Sequence, residues 1–316
     1  MTASTFDSQV GYAVESPTGT YTAPTRTIEH VTSSMKLEVD RIPSKGIKAA
    51  RRHQGRWFPG AQRVKGNLVH ELAPSNMGLI LKQLMGASAT SGSGPYEHVL
   101  TPGATVQTTT LTAQVLTPSV DGTTRVLSFL GCHVVGATIT SKIGEVAMID
   151  LELYGQHLDV GQSAAASAYA SAWAPFTFLH GVLSIAGSEY EFDDITLNYT
   201  NSLKVDRHVH RSTTPARPKT SLEAGFREWT ATVNSDFHDL GALNRAIAGT
   251  EAAFSLVFTN GASHSLTIAG NVRSDVDSPT IDGVDTVKQS LPLVFVSTTS
   301  DAAAMTMTLV NGDAAV

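Results

Sequence analysis

Apolar and polar residues alternate at every second position through much of this chain, and that period restricts it to half-buried strands. Met35, Leu37 and Val39 alternate with Lys36, Glu38 and Asp40, and Ile149, Leu151 and Leu153 alternate with Asp150, Glu152 and Tyr154. Trp229, Ala231, Val233, Ser235 and Phe237 share one face, and Met305, Met307 and Leu309 alternate with threonines. Successive side chains of a strand point to opposite sides, so each strand needs one covered face and one wet face. The pattern predicts antiparallel sheets and a mainly β chain of the α+β kind.

Two segments predict helices instead. In residues 75–86, SNMGLILKQLMG, the side chains of Met77, Ile80, Leu81 and Leu84 form one stripe. Ser75 suits a cap, and Gly86 suits the left-handed terminal position. In residues 238–249, HDLGALNRAIAG, Leu240, Leu243 and Ile247 take the corresponding places, and Gly249 ends the segment. Each helix follows a strand and has a glycine, Gly78 or Gly241, in its first turn.

The helices belong to a larger repetition. An offset of 163 brings them into register together with the strands before them, residues 64–72 and 227–235. An offset of 166 brings LEVDR, residues 37–41, onto LKVDR, residues 203–207. The order strand, long basic loop, strand, helix, further strands therefore occurs twice. A chain of 316 residues is long enough for two ordinary cores. The expected division is a first domain with an N-terminal arm over 1–160, a linker over 161–175 and a second domain over 176–316. The linker, GQSAAASAYASAWAP, reads as an extended arm, with a helix as the alternative for its Ala-rich run.

Charge is uneven along the chain. The net charge is −6, with 13 basic and 12 acidic residues in 1–160 but 9 and 16 in 161–316. That asymmetry suits head-to-tail stacking and argues against a nucleic-acid reader of the usual basic kind. From Arg41 to Lys65 there are eight basic residues and no acid, and from Arg207 to Arg227 five basic residues and only Glu223. Such loops read as solvated segments, as nucleic-acid contacts through Trp57 and Phe58, or as docking surfaces. Docking is favoured, because Arg and Trp dominate interface hot spots. The candidate contact residues are Arg51, Arg52, Arg56, Trp57, Arg211 and Arg217. Their counter-surface is the acidic stretch 274–285, with Asp275, Asp277, Asp282 and Asp285.

Catalytic patterns are weak. Cys132 is the only cysteine, so no disulfide or multi-thiolate zinc site can form within one chain, and its apolar neighbourhood suits a buried small side chain. His208 and His210 share a strand face, a metal-compatible geometry, but no third ligand accompanies them and a surface pair is the simpler reading. Ser33 and Lys36 fit S-x-x-K formally in a segment that alternates like a strand, where the two would face opposite ways. No enzyme activity, cofactor or metal is expected. The first residues lack a secretory pattern and no apolar run could span a bilayer, so synthesis in a cytoplasm is expected.

The opening stretch VGYAVESPTGTYTAPTRTIEHVTSSMKLEVDRIPSKGIKAARR resembles the start of tail tube proteins of long-tailed bacteriophages, siphoviruses. The turn T-x-G-T-x-x-A-P is carried by Thr18, Gly19, Thr20, Ala23 and Pro24. MGLILKQLMGA and FLHGVLSIAGSEYEFDDITLNYTNSL are also similar to this family. The resemblance implies two tandem β-sandwich or barrel domains, each with one flanking helix. It implies a structural virion protein: the major tail tube subunit, built in the bacterial host cytoplasm into stacked rings around a channel. Its partners would be further copies of itself and the tail terminator or neck, tape measure and tail tip proteins. DNA would pass through the lumen without specific binding. Because the unit is written twice, three chains would make a pseudo-sixfold ring. The alternatives are a true hexamer with one decorating domain, or a β-sandwich binding or decoration module of the particle.

Overall fold

The computed structural model describes the chain except for residues 1–3, 51, 54, 172–173, 212–213, 276–285 and 298–303. The alternating segments form strands, and they fall into two series. The first series is β1 (Gln9–Val14), β2 (Arg26–Ile28), β3 (His30–Ser33), β4 (Lys36–Pro43), β5 (Trp57–Glu71), helix α1 (Gly78–Met85), β6 (Gly86–Ser91), β7 (Tyr96–Pro102), β8 (Leu111–Pro118), β9 (Thr124–Lys142), β10 (Met148–Gly155) and β11 (His157–Asp159). The second is β12 (Gly181–Ile185), β13 (Ser188–Glu189), β14 (Asp194–Thr200), β15 (His208–Arg211), β16 (Thr214–Pro218), β17 (Glu228–Asp236), helix α2 (Gly241–Ala248), β18 (Ala252–Thr259), β19 (Ser265–Ser274), β20 (Lys288–Phe295) and β21 (Met305–Asn311).

The two series pair in the same order, always antiparallel. In the first, β2 pairs with β1, β1 with β8, β8 with β9, β9 with β10 and β11, β10 with β5, and β5 with β3 and β4. In the second, β13 pairs with β12, β12 with β18, β18 with β19, β19 with β20 and β21, β20 with β17, and β17 with β14. Two pairs stand outside this scheme: the hairpin β6–β7 of the first series, and β15–β16 of the second, which form a two-stranded sheet of their own. Two ladders join the series: β9 with β14, and β7 with β21.

The covered faces meet in one apolar core. Ile149, Leu151 and Leu153 of β10, Ala231 and Val233 of β17, and Leu309 of β21 are each no more than 1% exposed. Cys132 is fully buried among them, and burial pushes its thiol pKa up. Glu15, just before the turn at residues 18–20, is buried as well. Its carboxylate accepts from Gly19 N–H (2.6 Å), Thr110 Oγ1 (2.7 Å), Gly131 N–H (2.8 Å) and Thr112 Oγ1 (3.1 Å). Four donors satisfy a carboxylate that burial would otherwise penalise heavily. Gly19 takes a left-handed φ of 75°, so the turn can fold back onto the acid.

Several expectations change. The helices end at left-handed Gly86 and Gly249 as expected, but Ser75 does not cap α1. Asn76 intervenes with a positive φ of 63°, and Met77 takes the cap position without a side-chain bond. The basic stretches are not loops throughout: β4 and the start of β5 pair as far as Pro43 and Trp57, and β15 pairs with β16. The tip of the first arm, from Asp40 to Pro43 and at residues 57–59, is wet on both faces, so no hydrophobic period extends beyond the alternation of Met35 to Asp40. The second VDR phrase is not a continuous strand. Leu203 makes a single bridge with Ala224, and a turn follows.

Residues 161–171 contain no helix among those described, and they lie against the first series. Ala165 N–H donates to Gln114 Oε1 (2.8 Å), and Ala168 N–H donates to Thr27 Oγ1 (2.8 Å). The segment is thus tied down like an arm.

Candidate assembly surfaces

One sheet runs through both series in the order β3 and β4, β5, β10, β9, β14, β17, β20. Its middle seam is β9 against β14, in register from Lys142 with Asp194 to Gly136 with Thr200. The seam joins the fourth strand of one series to the first strand of the next. A small cluster closes it: Leu203 and Leu222 pack with Tyr154, while Val205, Ala224 and Val135 pack around them. Asn201 anchors the same place, its N–H donating to Val135 O (2.8 Å) and its Nδ2 to Leu84 O (3.0 Å) at the end of α1.

At one end of the sheet, β3 and β4 pair only with β5 among the described residues, so their outer edge is open. These strands are the counterparts of β14. The offset of 163 relates Ala224 to Ala61, beside Gln62, the partner of Val39. Leu203 in the seam therefore stands at the level of Val39, which is 39% exposed on the open edge. At the other end, β19 runs beside β20 from Val272 with Phe295, and Asp275 N–H continues that ladder to Pro292 O (3.1 Å). Open edges of this kind invite pairing with another chain.

The basic arm β4–β5 has a polar side and an apolar tip. Glu38 takes Lys36 (3.2 Å), Lys65 (3.1 Å) and Arg63 (3.2 Å), and Arg63 also reaches Asp40 (3.1 Å). The hydrogen bond from Lys65 and the other lysine hold the Glu38 pKa below its ordinary value. At the tip Arg41 lies over the Trp57 ring at 5.0 Å, a cation–π contact. Ile42, Trp57 and Phe58 are each more than half exposed, and Ile47 is fully exposed.

Of the expected contact residues, Trp57, Arg52 and Arg56 are exposed at this tip. Ser44 N–H donates to Arg56 O (2.9 Å) and closes the base of the loop. Arg217 sits differently, on β16 beside His157 of the first series, where desolvation lowers its pKa. Asp275 is exposed at the end of β19. Arg51, Asp277, Asp282, Asp285 and the side chain of Arg211 lie outside the described residues.

The solvent face of the long sheet is polar. Asn67 donates to Asp150 (2.9 Å), Thr138 to Asn198 (2.9 Å) and Asn234 to Asp194 (2.7 Å). Among the described residues no group of three or more His, Cys, Asp or Glu is placed to hold a metal ion, and no helix is long and apolar enough to cross a membrane. Open edges, an apolar-tipped arm and a wide polar sheet face are features of an assembling subunit.

Comparison with known proteins agrees with that reading. No curated protein matches the chain. A family model described as phage tail tube protein matches residues 5–295. Nearly the whole chain is covered, and it belongs to the phage tail tube protein family.

Proposed function

We propose that the chain is the major tail tube subunit, that three copies close one ring, and that rings stack into a tube around a channel. The two series act as two tandem tube domains, each supplying one sixth of the ring. The observation that carries this reading is the β9–β14 seam, because it already joins one unit to the next inside a single chain. The first strands of the first unit stand open at one end of the sheet. A second chain can repeat the seam there, with Val39 taking the place that Leu203 fills internally. Closure consumes the open edges and forms a point-group ring.

The polar face of the sheet would then line the channel. Its carboxylates outnumber its cations, and Lys65 and Lys288 on it are paired with Glu38 and Asp236, so it would offer DNA phosphates few free cationic contacts, which are the contacts that hold nucleic acid. The basic arms would reach the next ring, with Trp57 and its neighbours as the apolar contact. End-on averaged electron micrographs of assembled tubes test the symmetry. Threefold density with six similar lobes is expected. Six identical protomers would overturn the trimer, and a chain that stays monomeric at every concentration would overturn the tube.

A further inference from the structure

Helix α2 carries an apolar stripe of which Leu243 is half-buried while Leu240 and Ile247 stand exposed. At the offset of 163, Met77, Ile80 and Leu84 of the α1 region correspond to Leu240, Leu243 and Ile247. Met77, Ile80 and Leu84 are fully buried, whereas Leu240 is 50% and Ile247 78% exposed. The sequence keeps the stripe, so its exposure calls for a partner.

The cover on α1 shows where that partner comes from. Hairpin β6–β7 and β9 of the first series lie against α1, and the second series adds contacts at its two ends. Val316 packs on Gly78, Lys82 Nζ donates to Val316 O (3.0 Å), and Asn201 reaches Leu84 O across the seam. Helix α2 packs on β19 through buried Ala242 and half-buried Ala246, while the neighbours of Gly241 at its start are Asp239 and Arg245 of its own turn. The two series leave no third unit to place against it.

We propose that the exposed face of α2, centred on Ile247, is covered by a second copy of this chain, through the segment Met35–Leu37 at the open β3–β4 edge. The placement follows from the internal seam. Asn201 directly follows β14 and meets Leu84. Its counterpart is Met35 by the offset of 166 and Leu37 by the ladder of β4 with β5, and the counterpart of Leu84 is Ile247. Met35 and Leu37 are both half-buried and apolar, so the polar contact of Asn201 becomes an apolar one between chains. The proposal rests on the ring reading above and names the residues on both sides of its unclosed seam.

Two variants test it. Ile247→Glu keeps a good helix former at a largely exposed position, so the subunit should melt as wild type does. Its assembly, read by sedimentation over a concentration series, should need at least tenfold more protein. Met35→Cys combined with Ile247→Cys should give chains cross-linked to one another by a short bismaleimide, while either single variant should not. Fully buried Cys132 stays silent in that assay. Wild-type tubes together with unimpaired Ile247→Glu tubes would overturn this contact and leave the ring reading standing. The same holds if the thiol introduced by Ile247→Cys cross-links instead to the arm of a following ring. A wild-type chain that never assembles would overturn the ring reading and this contact with it.

Discussion

Replacing Val39 by Asp separates the stability of the subunit from the stability of the ring. Val39 already shows 39% of its surface in the single chain, so the change should move subunit stability by only about 0.5 kcal/mol. In a closed seam the remaining surface is removed from water, a gain of roughly 0.5–1 kcal/mol per copy that Asp forfeits. A carboxylate enclosed there without a cation adds a penalty of about several kcal/mol, and Glu38 and Asp40 flank it in sequence. Together these terms should lower seam association by about 100-fold or more. Leu203→Ala is the internal control. Leu203 stands at the same level of the seam within the chain and is 6% exposed, so its truncation should cost about 2–4 kcal/mol of subunit stability. Urea unfolding reports the subunit, and sedimentation velocity across a concentration series reports assembly. Val39→Asp tubes forming at the wild-type concentration would show that the open edge is not the seam. A Val39→Asp subunit as unstable as Leu203→Ala would show that Val39 supports the fold itself.

Two further outcomes are expected. Burial lowers the His70 pKa from 6.5 to about 4. Its Nδ1–H donates to Glu29 O (2.8 Å), and Tyr12 O–H donates to its Nε2 (2.6 Å). Between those pH values the unfolded chain binds the extra proton, so stability is intact above pH 6.5 and falls by about 2 kcal/mol by pH 5. Denaturant midpoints of wild type and His70→Gln at pH 7 and pH 5 should show a clearly smaller acid loss in the variant; equal losses would remove His70 as a source. Replacing Arg51, Arg52 and Arg56 together with Ser should shorten or abolish tubes without altering the melting of the subunit. High salt should weaken wild-type stacking in the same direction, and tube lengths unchanged by either treatment would take the arm out of the inter-ring contact.

The elements that bury one face were legible in the sequence, because burial is what writes a period. β10, β17, β21 and the stripe of α1 follow their alternating or helical apolar residues. The base of β4 was legible in the alternation from Met35 to Asp40, but the rest of the arm was not: from Asp40 to Pro43, and at the start of β5, both faces are wet. The repeated phrase was visible, but its use was not. Nothing near Leu203 announces that it will meet Tyr154, because β9 and β14 are brought together only by the full pairing order. The network around Glu15 was equally hidden, since its donors come from a local turn and from β8 and β9. Helix α2 is the informative mismatch. Its apolar spacing matches that of α1, yet Leu240 and Ile247 stand exposed where Met77 and Leu84 are buried.

Hairpin β6–β7 occurs once per chain, although the pairing scheme around it occurs twice. A homo-hexamer built from one unit must alter all six positions of its ring whenever one residue changes. A duplicated chain is released from that constraint, because either unit can acquire an addition while the other keeps the inherited outline. Here the addition covers α1 and pairs with β21, which locks the two halves of one chain to each other. On the proposed ring of three chains, a partner settling over the hairpin would therefore find three equivalent places for itself, and between them three of a different shape.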